Sequence, residues 1–317
     1  MPRFRDALPQ LGPGAIALTD GGLETTLIFL DGVELPLFAA FPLLDDPSGR
    51  RRLHDYYRRA ADTALGAGLV FSLDTVTWRS SPDWAARLGY EGAEFERINR
   101  AAIDLAVQVR GEYPPDAPIV LSGVLGPRGD GYQPGERMTA LAACDYHRAQ
   151  LAIFADSELD HAAALTLSYP EEAEGVALAA SELGMPLALL FTVETDGRLP
   201  SGDSLGEAIE RVDAASAGSV AYFGVNCAHP THLPGELFDG APWSSRVRTY
   251  RANASRLSHA ELDEADELDP GDPVELGREF AALRDALPQL CVIGGCCGTD
   301  DRHLRSIARE VTRSLSA

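Results

Sequence analysis

Eight short apolar runs, each bounded by Gly, Pro, Ser or Asp and separated by stretches of helical periodicity, restrict this chain to an α/β architecture. The runs fall at residues 15–19, 69–74, 119–122, 162–167, 187–193, 220–225, 246–251 and 291–293. The seventh is the weakest, because polar and apolar residues alternate along it. Between them, residues 47–66 carry Leu53, Tyr56, Tyr57, Ala60 and Ala64 at helical spacing, and residues 91–109 place Phe95, Ile98, Ala102 and Leu105 on one stripe. Further helices are predicted over 146–156, 170–183, 205–215, 272–286 and 302–315. Eight strands alternating with helices over 317 residues fit an α/β fold made of a single (β/α)₈ TIM barrel, residues 1–317, with elaborated loops at its C-terminal face. A doubly wound open sheet alternates in the same way, and periodicity alone does not separate the two. Residues 229–272 are loop-rich, and the acidic run 261–267 reads as a solvated surface without the spacing of an EF-hand.

Charge narrows the function. Acidic residues outnumber basic ones 48 to 27, a formal net charge of −21, which opposes binding to nucleic-acid backbones or anionic lipid. Every basic residue among the 27 is arginine. With no lysine, Schiff-base and pyridoxal chemistry and a P-loop are excluded. No apolar run approaches the length of a membrane span, and the first residues lack a signal peptide's apolar stretch, so a cytoplasmic location is expected.

The chemically distinctive residues cluster at the C-terminal ends of the predicted strands. Asp20-Gly21-Gly22 follows the first, Thr75-Val76-Thr77-Trp78 the second, Glu194 the fifth, Asn226-Cys227 ends the sixth, and Gly294-Gly295-Cys296-Cys297-Gly298 follows the eighth. In a barrel these ends share one face, which carries the active site. Three thiols therefore converge there. Three protein ligands with an open position is the arrangement of a catalytic zinc site, and thiolates select zinc over magnesium or calcium. The simpler reading of the Cys296-Cys297 pair is a vicinal disulfide or packed side chains; Cys227 on the same face favours a metal. Cys144 and Cys291 read as core residues.

These motifs resemble the homocysteine S-methyltransferase family over nearly the whole chain. Asp20-Gly21-Gly22 is similar to its opening motif, Gly224-Val225-Asn226-Cys227 to its first zinc motif and Gly294-Gly295-Cys296-Cys297-Gly298-Thr299 to its second. Residues 122–127, Tyr146-His147 and His303 resemble further family positions. The resemblance implies a (β/α)₈ barrel in which zinc, held by Cys227, Cys296 and Cys297, assists methyl transfer to a thiol. The donor would be an onium compound: S-methylmethionine, S-adenosylmethionine or betaine. The family's glutamate at the end of the fourth strand, which helps bind the amino group of homocysteine, is replaced by Leu165, beside Thr166.

The chemistry can also be argued from the residues. A free thiol is mostly protonated at neutral pH, and a metal deprotonates a bound one. A donor methyl on a cationic centre suits an aromatic face, for which Trp78 is the best candidate and Phe38 a weaker one that reads first as core packing. Asp20 is expected to bind the acceptor's ammonium, Glu194 to replace partly the carboxylate missing at Leu165, and Asn226 to orient the site. Asn253 is similar to Asn226. Glu24 and Thr25 read as helix-start residues. Homocysteine is the expected acceptor. Another small thiol or selenol, or a non-catalytic zinc or thiol-sensing barrel, is the alternative; a corrinoid-linked transfer has no second domain to carry it.

Overall fold

The computed structural model describes residues 1–265 and 267–315; Asp266, within the acidic run noted above, lies outside them. Eight parallel strands close into a barrel in sequence order, with β1 paired to both β2 and β8. The strands are β1 (Ala17–Leu18), β2 (Val70–Asp74), β3 (Ile119–Leu125), β4 (His161–Leu167), β5 (Leu187–Phe191), β6 (Tyr222–Ala228), β7 (Val247–Ala252) and β8 (Val292–Gly295). Closure removes the open-sheet alternative that periodicity left standing.

The helices are α1 (Leu23–Thr25), α2 (Pro47–Gly66), α3 (Pro82–Arg87), α4 (Ala93–Gly111), α5 (Ala140–Ala155), α6 (Pro170–Glu182), α7 (Leu205–Ala215), α8 (His259–Asp263), α9 (Pro273–Ala286) and α10 (Asp301–Leu315). Their starts are written locally. Asp46 accepts the Gly49 N–H before α2, Ser204 caps α7, and Ser258 and Glu261 form a reciprocal capping box on α8. Helix α5 begins earlier than periodicity suggested, because Thr139 caps it through the Ala142 N–H. Among the described residues no α-helix lies between β6 and β7. Three short 3₁₀ turns, Pro230–His232, Gly235–Leu237 and Pro242–Arg246, make that crossover, each with a proline at or beside its start.

Strand alternation divides the core in two. Ala17, Val70, Val120, Val124, Ala163, Leu190, Tyr222 and Val292 fill the barrel interior. Leu18, Phe71, Leu121, Leu189, Phe223 and Ile293 face the other way and pack with the helices. The same period carries polar groups inward at the top of the barrel. Asp74 lies four residues beyond Val70, and Asn226 four beyond Tyr222. Among the described residues no helix is long and apolar enough to cross a membrane.

Candidate metal and substrate site

The β1 and β8 loops are laced together before any site residue is placed. The Gly22 N–H donates to the Thr299 carbonyl at 3.0 Å, and the Gly298 N–H to Thr25 Oγ1 at 3.1 Å. A Cβ on Gly22 would collide with the Cys296 carbonyl, so this close approach requires glycine. The Gly295 N–H donates to the Asp20 carbonyl at 3.0 Å, and the Cys296 N–H to the Ala252 carbonyl at 2.7 Å. Two adjacent cysteines are thereby fixed at the mouth of the barrel.

Cys227 arrives from β6 in the left-handed backbone region, at φ 55°. This conformation costs a non-glycine residue about 1–3 kcal/mol and persists where its surroundings enforce it. Here two donors grip the Cys227 carbonyl: Asn253 Nδ2 at 3.0 Å and His259 Nε2 at 2.6 Å. The ligand atoms of Cys227, Cys296 and Cys297 all lie within 4.8 Å of one another. Cys227 and Cys296 bring their sulfurs together as a disulfide pair, with Cys297 Sγ 3.9 Å from Cys227 Sγ. The pair therefore joins β6 to β8 and is not the vicinal bridge that adjacency in sequence suggests. Three thiols this close have two chemical outcomes: a disulfide with one thiol over when oxidised, or three soft donors around one point when reduced. Burial pushes the Cys297 thiol up to about 11, and the charge of Glu24 adds to the shift. Cys144 and Cys291 lie outside this cluster, as expected.

A cavity opens beside the sulfurs. Asp20, Trp78, Asn226 and the three cysteines line it, as do Glu24, Phe38, Asp74, Tyr132, Leu165 and Arg251. Asp20 is where the sequence put it, but its carboxylate is not free. Arg251 Nη2 donates to Asp20 Oδ1 at 2.5 Å, and Arg251 Nη1 pairs with Asp74. Burial pushes Asp20 up to about 7, against the pull of Arg251, with Asp74 and Glu24 adding to the rise. Asp20 is thus one of three members of a buried ion-pair network.

Glu194 does not line the cavity. Its Oε1 lies 3.0 Å from His259 Nδ1, so it steadies the ring that grips the Cys227 carbonyl. Tyr132 packs over the same ring with centroids 4.2 Å apart. One face of Trp78 already carries a cation, since the Arg79 guanidinium lies 4.3 Å from its centroid and 3.9 Å from that of Trp84. Phe38, read as core from the sequence, instead lines the cavity with its ring edge-on to Trp78.

Asn226 ties β6 to the end of β4. Its Oδ1 accepts the Thr166 N–H at 2.7 Å, and its Nδ2 donates to Thr166 Oγ1 at 2.8 Å and lies 3.9 Å from Cys296 Sγ. These bonds hold Thr166 at φ 64°, a second side chain in the left-handed region. Asn226→Ala is expected to cost about 1–3 kcal/mol of stability, the penalty for leaving a buried amide unpaired. A thermal melt beside wild type measures it; an unchanged midpoint would count against the positioning role. Arg251, Asp74, Tyr132 and Glu24 were not singled out from sequence as site residues. An arginine and an aspartate at the inward ends of two buried strands were the available signal.

Together these features define a (β/α)₈ barrel with a three-thiol cluster beside an acidic and aromatic cavity at the C-terminal face. Residues 17–311 match the family model described as homocysteine S-methyltransferase, and the chain belongs to that family, a group of transferases. Relatives include homocysteine S-methyltransferase 2 of Zea mays, 26% identical over 95% of this chain and 91% of its own length. The S-methylmethionine–homocysteine S-methyltransferase BHMT2 of Rattus norvegicus is 25% identical over 96% of this chain and 80% of its own. The homocysteine methyltransferase MmuM of Escherichia coli, in its metallated form, shares the fold with a TM-score of 0.72 at 20% identity, covering 94% of this chain and 96% of its own.

Proposed function

We propose that this protein transfers a methyl group from an onium donor to a small thiol, with homocysteine as the acceptor and methionine as the product. The observation that carries this reading is the convergence of Cys227, Cys296 and Cys297 beside a cavity that carboxylates and aromatic rings also line. The three sulfurs would hold zinc, the metal that soft donors with an open position select. Bound there, zinc supplies the charge that keeps an incoming thiol deprotonated at neutral pH.

The chain's own residues do the rest. Asn226 and Asn253, with the Glu194–His259 pair, fix the backbone of the β4 and β6 ends so that the thiols keep one mutual arrangement. Phe38 and Trp78 give the cavity an aromatic wall, suited to a methyl group on a cationic sulfur or nitrogen. Asp20 and Asp74 keep the Arg251 guanidinium neutralised, so that no free cation repels an onium donor. Water is limited by the buried side chains of Val76, Val124 and Thr166 around the cavity floor.

Leu165 favours a second reading, in which the acceptor is another small thiol or selenol, because its apolar side chain meets the cavity at the end of β4. A screen of thiol and selenol acceptors against S-methylmethionine, S-adenosylmethionine and betaine, with products identified by mass spectrometry, decides between them. Methylation of homocysteine at the highest kcat/KM supports the first reading. Absence of any methylated product from metal-loaded, reduced protein would overturn both.

A further inference from the structure

We propose that Glu24 is the specificity residue that binds the α-ammonium group of the thiol acceptor. This inference rests on the methyltransferase reading above. An amino-acid acceptor brings a cation into a partly desolvated cavity, where an unpaired charge is strongly disfavoured. The carboxylates that could meet it can be taken in turn. At the end of β4 there is only Leu165. Asp20 and Asp74 share Arg251, the one cationic side chain lining the cavity among the described residues. Glu194 lies outside the cavity lining and faces His259.

Glu24 remains. It lines the cavity, is half-buried, and its carboxylate takes a hydrogen bond from its own backbone N–H but pairs with no other side chain among the described residues. Its position is built rather than incidental. It sits in the single turn of α1, whose Thr25 accepts the Gly298 N–H and donates to the Gly22 carbonyl at 3.1 Å. That lacing ties Glu24 to the same loop that presents Cys296 and Cys297. Its charge reaches Cys297, whose thiol it helps to raise. Burial raises the pKa of Glu24 itself, offset in part by the hydrogen bond from its own backbone N–H and then by the charges of Arg251 and Arg79. Three carboxylates and one guanidinium thus line the cavity, and of the three only Glu24 has no arginine partner. An ammonium paired with Glu24 would stand on the same side of the cavity as the thiol cluster. That suits an acceptor whose amino and sulfhydryl groups belong to one short chain.

The test compares homocysteine with γ-mercaptobutyrate, which is the same thiol acid without the amino group. Binding is followed by calorimetry and methyl transfer by mass spectrometry, in wild type, Glu24→Gln and Glu24→Asp. Glu24→Gln is expected to weaken homocysteine binding and lower kcat/KM for it by about 10- to 100-fold, the range for losing one member of a partly buried charge pair. γ-Mercaptobutyrate use and the KM for the donor should stay within about twofold of wild type. Glu24→Asp, which keeps the charge with a shorter reach, should fall between, and it carries the comparison if Glu24→Gln does not fold. Equal losses with both thiols, a loss confined to the donor, or no loss at all would overturn the assignment. A wild-type protein that methylates neither thiol would overturn it together with the reading on which it rests, and the wild-type arm identifies that case by itself.

Discussion

Cys296→Ala/Cys297→Ala is expected to carry no stoichiometric zinc and to lose methyl transfer to background. The double variant leaves one sulfur of three, and one thiolate does not make a catalytic zinc site. If the metal generates the nucleophile, its removal abolishes turnover rather than weakening substrate affinity. Cys144→Ala and Cys291→Ala provide the contrast. Cys144 is buried on α5 with Arg148 Nη2 3.3 Å from its sulfur, and Cys291 precedes β8 at the end of the barrel away from the cluster. Both variants should keep wild-type zinc. Metal analysis of the purified proteins by plasma mass spectrometry reads the result directly. Full zinc retention in the double variant would remove the three-cysteine assignment.

Arg251→Met should be among the most destabilising single changes in the barrel. The guanidinium pairs with two carboxylates at once, and all three groups are nearly inaccessible to water, with side-chain exposures of 8% for Arg251, 5% for Asp20 and 9% for Asp74. Removing one member of such a network leaves uncompensated buried charge, at a cost of about 3–5 kcal/mol. Replacing all three, as Arg251→Met with Asp20→Asn and Asp74→Asn, removes the charges together and should recover much of the loss. Denaturant unfolding of the single and triple variants measures both terms. A triple variant less stable than Arg251→Met would mean that the network contributes more than charge neutralisation.

The strands were legible because a buried parallel sheet writes itself as continuous apolar runs. Each of the eight runs contains or overlaps a strand, and the weakest, at β7, is weak because Arg246, Arg248, Thr249 and Arg251 break its apolar character, the last of these at the site. The thiol cluster was legible from topology, since strand ends of a barrel share a face whatever their separation in sequence. What a carboxylate does was not legible. Asp20, Glu24, Asp74 and Glu194 all follow or end strands, and nothing local distinguishes the two that meet Arg251 from the one that meets His259 or the one that pairs with no other side chain. Those outcomes depend on which inward positions stand opposite each other across the ring. Phe38 was misread for a related reason: it lies in a 3₁₀ turn with φ 58°, where helical or strand periodicity does not say which way a ring points. The short helices α3 and α8 were missed because one or two turns leave too few residues to establish a period.

Cys227 and Cys296 are 69 positions apart, and β7, α8 and α9 lie between them. Since β8 also pairs with β1, the cluster sits at the seam where the two ends of the chain complete the ring. An ion held there, as proposed above, would act as a clasp on barrel closure. Its binding favours the closed ring over the opened chain by mass action, and each tenfold rise in free metal above the dissociation constant adds about 1.4 kcal/mol to the folded state. The melting temperature of the reduced protein then becomes a gauge of how far the clasp is occupied.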